Sequence, residues 1–141
     1  MPKTMPLFLR ISATDFLEEA PKDKVPESWT GEDTVKLAPL LAEAGVDVLD
    51  VSGGGTSDLQ HAHVKPAYQA PFAIAVKKAV GDKMKVGTVG AIDTAHLAND
   101  LLEKDGLDIV TVGRGFQKYA LPYHFYLRRW LTPSLLGILV S

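Results

Sequence analysis

The chain has 141 residues, a formal net charge of −2 and 46% hydrophobic residues, values typical of one globular domain with its own core. It contains no cysteine, which excludes disulfide bonds, thiolate catalysis and cysteine-ligated metal within this polypeptide. The small net charge, without runs of like charge, predicts neither a nucleic-acid surface nor a polybasic membrane patch.

The N-terminal six residues hold no apolar run typical of a signal peptide, so we expect a cytoplasmic protein. Beyond them, four short apolar runs alternate with amphipathic segments. These runs are rich in Val, Ile and Leu and too short for ordinary helices, so each predicts a β-strand. The four are Leu7 to Ser12, Val46 to Ser52, Met84 to Gly90 and Asp108 to Gly113.

The amphipathic segments between the strands predict helices. In the first, Gly31 to Ala44, Thr30 and Asp33 have the spacing of a capping box and Gly45 marks the end. The remaining predicted helices are Pro71 to Val80, a segment that begins after Asp93 as its N-cap and ends near Gly106, and a segment around Tyr119 to Leu131.

Strands that alternate with helices predict parallel strands with right-handed crossovers, and therefore an α/β architecture. The sheet is either doubly wound or part of a (β/α)8 TIM barrel. A doubly wound sheet is apolar on both faces, whereas here one predicted face becomes polar toward the carboxyl ends of the strands, as in a barrel interior near its rim. The polar residues on that face are predicted to be Arg10, Ser12, Asp50, Ser52, Thr88 and Thr111.

The fourth predicted strand ends in the sequence glycine-arginine-glycine, Gly113 to Gly115. Backbone N–H groups of glycines can converge on an anion, and an arginine adds charge and a bidentate fork. This pattern predicts a phosphate site. The alternative is an ordinary strand-to-loop turn with a solvated arginine.

The histidines are candidates for metal binding or catalysis. His61 and His63 have a spacing that can chelate a metal, but the sequence offers no clear third ligand, so we expect a solvated loop and no metal. His96 and His124 lack a serine or carboxylate partner at a recognisable spacing. A nucleophilic triad is therefore not predicted.

Five segments, in this order, together resemble the C-terminal half of the Old Yellow Enzyme family. They are Leu-Arg-Ile-Ser-Ala-Thr-Asp at 9–15, Gly-Val-Asp-Val-Leu-Asp-Val-Ser-Gly-Gly at 45–54, Pro-Ala-Tyr-Gln-Ala-Pro-Phe-Ala at 66–73, Val-Gly-Thr-Val-Gly at 86–90 and Val-Gly-Arg-Gly-Phe at 112–116. The resemblance is to the bacterial and fungal branch of these FMN-dependent NAD(P)H oxidoreductases, or ene-reductases. It implies a partial TIM barrel at 1–118, four βα units that correspond to strands five to eight.

The resemblance implies five cofactor-binding residues. Arg10 matches an arginine near the N1/O2 edge of the flavin, although pairing with Asp50 on the next strand is a compatible alternative. Ser52 matches a position beside the flavin. Contact with the FMN phosphate is implied for Gly90, Gly113 and Arg114.

Tyr68 and Gln69 lie in a motif near the active-site rim, where ligand contact and a packing role at a helix start are equally good interpretations. The family residues that polarise a substrate carbonyl and donate the proton belong to the N-terminal half, for which this sequence has no equivalent. We therefore assign no catalytic residue. After Phe116 the sequence departs from the family, so we treat 119–141 as a divergent tail, whose apolar Leu135 to Val140 is too short to span a bilayer.

Three functions remain open at this point: an FMN-dependent oxidoreductase that lacks its N-terminal half, a catalytically silent FMN- or phosphate-binding module, and an interaction protein. The first would use NAD(P)H and an enone-type substrate. We expect both the first and the fourth strand to be sheet edges, so the chain should form a homo-oligomer or pair with a complementary half-barrel.

Overall fold

The computed structural model describes residues 4–25, 27–115 and 138–140. It contains a five-stranded parallel sheet in the order β1-β2-β3-β4-β5, with helices between the first four strands. The strands are β1 Phe8–Ser12, β2 Val48–Ser52, β3 Lys85–Thr88, β4 Ile109–Val112 and β5 Ile138–Val140, and the helices are α1 Gly31–Glu43, α2 Ala70–Val80 and α3 Ala95–Glu103. The parallel α/β architecture is thus confirmed, in the strand order expected of half a barrel.

The N-terminus of α1 follows the sequence prediction. The Asp33 N–H donates to Thr30 Oγ1 at 3.4 Å, and the Thr30 N–H donates to Asp33 Oδ2 at 3.2 Å. Two of the otherwise free N–H groups of the chain entering the helix are satisfied in this way. The chain leaves α1 through Ala44 and then Gly45, whose φ of 93° lies in the left-handed region that favours glycine.

The predicted cap of α3 is wrong by one residue. Thr94, with an extended backbone, is the N-cap, and its Oγ1 accepts a hydrogen bond from the Leu97 N–H at 3.2 Å. A cap side chain must reach an N–H two or three residues on, and here Thr94 has that register. Asp93 is exposed and free of the capping role.

The main core lies between one face of the sheet and the helices. Leu49, Val51, Val86 and Val110 are fully buried on that face. Thr88 pairs in register with Val51 and Val110, so it shares their face, and its predicted place on the polar face is wrong. The side chain is completely buried, and its Oγ1 has no hydrogen-bond partner in the described part of the chain.

The other face of the sheet carries the predicted polar residues Arg10 and Asp50 on its first two strands. Arg10 on β1 lies opposite Asp50 on β2, which in turn lies opposite Gly87 on β3. Phe8, at the start of β1, is on the same face and is 56% exposed. This face therefore combines an ion pair with apolar surface that the described residues leave uncovered.

The fourth strand is not an edge, contrary to expectation. Ile138–Val140 forms β5 and pairs in parallel with Val110 to Val112 of β4. The apolar run near the C-terminus is thus long enough for a short strand, and parallel pairing satisfies the backbone groups of β4. Within the described ranges, β1 and β5 are the two edges of the sheet. The helix predicted around Tyr119 to Leu131 lies outside the described residues.

None of the helices in the described ranges is long and apolar enough to cross a membrane.

Candidate functional site

A cavity of about 490 Å³ lies at the carboxyl ends of β3 and β4. Its walls are the loop after β3, the loop after β4 and the segment 64–66 that precedes α2. Three of the five predicted cofactor residues line it together: Gly90, Gly113 and Arg114. The carboxyl end of a parallel sheet is where α/β proteins bind ligands, because the loops there are free to vary while the strands hold them.

The loop after β3 passes very close to the start of α2. Gly90 has φ 115°, and a Cβ at this position would lie 2.9 Å from Tyr68 Cε1 and 3.1 Å from Gln69 Oε1. A side chain is therefore excluded on both conformational and steric grounds. The glycine allows the backbone to form the cavity wall at this distance from the aromatic ring.

Gln69 joins two of the loops at this end of the sheet. It is 4% exposed and is the N-cap residue of α2, and its Nε2 donates to Tyr68 Oη at 2.8 Å and to the Gly53 carbonyl at 3.3 Å. The ring of Tyr68 also packs against Phe16, with centroids 6.1 Å apart. Of the two roles left open by the sequence, these contacts match packing at a helix start.

Strained backbone is concentrated in the same loops. Phe16, Ala67 and Ala91 are non-glycine residues with φ between 50° and 54°, in the left-handed region. Ala91 lines the cavity, and Ala67 directly follows its 64–66 wall. Such conformations cost free energy and cluster where a loop shape is needed for function.

Arg10 and Ser52 are not among the residues that line the cavity. The Arg10 guanidinium is paired with Asp50, with Nε 2.6 Å and Nη2 2.5 Å from the same oxygen, Oδ2. Asp50 Oδ1 is buried and has no partner among the described residues. The pairing that the sequence offered as an alternative is present, and contact of Arg10 with a flavin stays a prediction. Ser52, in register with Ser12, accepts a backbone hydrogen bond from Ala13.

The cavity carries two cationic side chains and one carboxylate. Besides Arg114, it is lined by Lys65 and Asp93, which the sequence did not indicate as site residues. No ion pair joins any of these three groups to another described residue. The one available signal for Lys65 is its position directly before the Pro-Ala-Tyr-Gln motif. Asp93 was not identified as a site residue, because the sequence pattern predicted it to be the N-cap of a helix.

The opposite end of the sheet holds an ion cluster around Asp108. Its carboxylate accepts from Lys85 Nζ at 2.8 Å, from Lys77 Nζ at 2.9 Å and from the Val86 N–H at 2.9 Å. Burial raises the pKa of Asp108, but the hydrogen bonds from Lys85, Lys77 and Val86 outweigh this effect and hold it below the usual range. The hydrogen bond with Asp108 also raises the pKa of Lys85. At the amino ends of barrel strands such residues serve stability.

The His-x-His segment gives no metal centre within the described residues. His63 Nε2 lies 3.2 Å from Glu19 Oε1, and both side chains are exposed. No group of three His, Asp or Glu side chains in the described ranges is arranged to hold a metal ion.

Comparison with known proteins identifies relatives over most of the chain. No protein-family model matches. The chain is 48% identical over 122 residues to the NADH:flavin oxidoreductase FG08077 of Gibberella zeae, a match that covers 84% of this chain and 29% of that protein. It is 35% identical over 109 residues to the NADPH dehydrogenase of Geobacillus thermodenitrificans, with 77% of this chain and 29% of that protein covered.

A third relative, the NADPH dehydrogenase of Bacillus pumilus, is 32% identical over 111 residues, covering 79% of this chain and 30% of its own length. The chain thus spans less than a third of the length of the curated relatives it matches. Over most of its own length, the chain is a homologue of NADH:flavin oxidoreductases and NADPH dehydrogenases, that is, of the Old Yellow Enzyme family.

Proposed function

We propose that this chain supplies the cofactor-binding half-barrel of an FMN-dependent NAD(P)H oxidoreductase that reduces activated carbon–carbon double bonds. The observation that carries the proposal is the cavity at the ends of β3 and β4, where two glycine loops meet Arg114. The names of the relatives, NADH:flavin oxidoreductase and NADPH dehydrogenase, support flavin and NAD(P)H use.

The residues of the cavity fit the phosphate of FMN. Gly90 lets the β3 loop pass close to Tyr68 and Gln69 because it has no Cβ, and Gly113 lines the cavity after β4. Arg114 supplies a planar cation that can hold two phosphate oxygens at once. In barrels of this type, phosphate binds after the last two strands, which β3 and β4 would be in the family numbering.

Arg10 would serve the ring end of the cofactor. Its guanidinium is held by one carboxylate oxygen of Asp50 through Nε and Nη2, which fixes its plane. A fixed cation on this face of the sheet, which would line the completed barrel, stabilises negative charge beside it without a rearrangement of water. The bound flavin supplies the hydride-transfer chemistry, which side chains do not provide.

The complete reaction needs a second half-barrel. We assign no proton donor or carbonyl-polarising residue to the cavity, because its charged side chains belong to the proposed phosphate site, and both edges of the sheet are unpaired within the described residues. We propose that a complementary half-barrel, or a second copy of this chain, closes the barrel and completes a site for an enone-type substrate. A cytoplasmic location, where NAD(P)H is supplied, belongs to the same proposal.

A second candidate is a catalytically silent module that binds FMN or another phosphate ester. The cavity supports a binding module and an enzyme equally, because phosphate binding requires only the two loops and Arg114. The exposed Phe8 and Met5 at the β1 edge are the observation that favours the third candidate, an interaction protein.

Flavin titration followed by turnover separates these candidates. FMN fluorescence should be quenched by the purified chain, and a chain that binds no FMN would overturn both flavin functions. NADPH oxidation with cyclohexenone should stay at background for the chain alone. It should rise when the chain is co-expressed with the part of the Gibberella zeae relative that it does not span. FMN binding without any gain on co-expression would leave the silent module.

A further inference from the structure

Lys65 lies on the third wall of the cavity, which is formed by the segment 64–66. It directly precedes Pro66, which restricts the backbone of residue 65 to extended conformations. The Lys65 carbonyl accepts a hydrogen bond from the Tyr68 N–H at 3.1 Å. Because the Tyr68 ring lies directly beside Gly90, the fold fixes the position of the Lys65 backbone relative to the β3 loop, while the Lys65 side chain is exposed at the cavity wall.

The charges around the cavity sum to one excess positive charge. Arg114 and Lys65 contribute two cations and Asp93 one carboxylate, and none of the three forms an ion pair with another described residue. Two cations that share a cavity repel each other unless an anion lies between them. A phosphate monoester carries close to two negative charges at neutral pH, whereas a diester carries one.

We propose that Lys65 is a second cationic ligand of this cavity and makes it selective for doubly charged phosphate monoesters over singly charged phosphate diesters. Asp93 opposes the two cations and sets an upper limit on anion affinity. This inference rests on the proposed function only for the identity of the natural ligand, since FMN is itself a phosphate monoester.

The test compares methyl phosphate, a dianion, with dimethyl phosphate, a monoanion, in titrations of the whole chain followed by NMR. The wild-type chain should bind methyl phosphate more tightly than dimethyl phosphate. Lys65→Gln should weaken methyl phosphate binding by about fivefold and dimethyl phosphate binding by less than about twofold. Asp93→Asn should strengthen methyl phosphate binding by about twofold or more.

Lys78→Gln is the matched control, because Lys78 is an exposed lysine of α2 that does not line the cavity. It should leave both affinities unchanged. Equal binding of the two phosphates by the wild-type chain, or equal losses of both in Lys65→Gln, would overturn the inference. If methyl phosphate binds as expected but FMN does not, the proposed function fails while the inference stands. If FMN binds and Lys65→Gln changes nothing, the inference alone fails.

Discussion

Arg114 and Arg10 are the two cations that the proposal assigns to opposite ends of one cofactor. Arg114→Ala removes a charge-assisted contact worth roughly 1.5 to 3 kcal/mol, so FMN affinity should fall by about tenfold or more. Riboflavin, which lacks the phosphate, should bind the variant as it binds the wild type. Fluorescence quenching of both flavins measures the two affinities.

Arg10→Ala is the companion variant, since its expected partner is the flavin ring. It should weaken FMN and riboflavin by similar factors, and it also leaves Asp50 without its ion-pair partner. Equal losses of both flavins in Arg114→Ala would contradict the phosphate assignment. A loss confined to FMN in Arg10→Ala would contradict the ring assignment.

Asp108 gives a pH-dependent prediction at the same scale. Its pKa is lowered in the folded chain, so its contribution to stability is complete above the unfolded pKa, roughly 3.9, and is lost as the pH falls through the lower folded value. Asp108→Asn should therefore reduce the free energy of unfolding at pH 7 by about 1 to 3 kcal/mol.

The difference between wild type and Asp108→Asn should shrink progressively as the pH falls below about 4, because the carboxyl group of the unfolded chain binds a proton before that of the folded chain. Urea unfolding at pH 7, 5 and 3 measures this difference. A gap of constant size down to pH 3 would show that the charge of Asp108 is not what stabilises the sheet.

The cavity residues that could be predicted from the sequence are those that lie at the end of a predicted strand. Gly90 and Gly113 are the last residues of predicted strands and Arg114 follows directly after Gly113, so the sequence predicted that they lie together at the carboxyl end of the sheet. Lys65 comes from a segment between elements, with no periodicity to fix its position. Its place on the cavity wall depends on packing of the Tyr68 and Gln69 side chains against Gly90.

At the scale of elements, substitutions can distinguish between Asp93 and Thr94 as the N-cap of α3. Thr94→Ala removes the acceptor of the Leu97 N–H and should lower the free energy of unfolding by about 1 kcal/mol. Asp93→Ala should change it by less than about 0.5 kcal/mol, because Asp93 is exposed and does not cap the helix. Thermal unfolding of the two variants makes the comparison. A larger decrease in the free energy of unfolding for Asp93→Ala than for Thr94→Ala would show that Asp93 is the N-cap of α3.

The order of the elements could be predicted because each apolar run is short and the segments between the runs have helical spacing of apolar residues. The face of the sheet on which the Thr88 side chain lies could not be predicted. Side-chain alternation requires the register between strands, and that register is set by hydrogen bonding to β2 and β4 rather than by the local sequence. The strand β5 was also missed, although it lies within the apolar run Leu135 to Val140, because no βα unit of the predicted half-barrel includes that run.

For the whole molecule, the open sheet predicts self-association. The edge of β1 is unpaired within the described residues, and Phe8 is 56% exposed on the same face of the sheet as Arg10. Two copies could cover these surfaces by pairing. Sedimentation at micromolar concentration should therefore show a species larger than a monomer.

Phe8→Lys should shift this equilibrium toward the monomer, because a charge replaces the apolar contact at the edge. Leu40→Lys is the control: Leu40 is 60% exposed but lies on α1, away from the sheet edge. A folded wild-type monomer, or equal dissociation in both variants, would contradict pairing through β1.

By itself, the sequence determined the alternation of strands and helices, the parallel sheet, and the position of the glycine-arginine phosphate motif at a strand end, because these follow from local periodicity and backbone preference. Its motifs were also specific enough to indicate the family. Only the tertiary structure decided that Lys65 and Asp93 face the same cavity as Arg114, that Thr88 is buried beneath the helices, and that β5 covers β4. These facts depend on contacts between residues far apart in the chain, which no local pattern records.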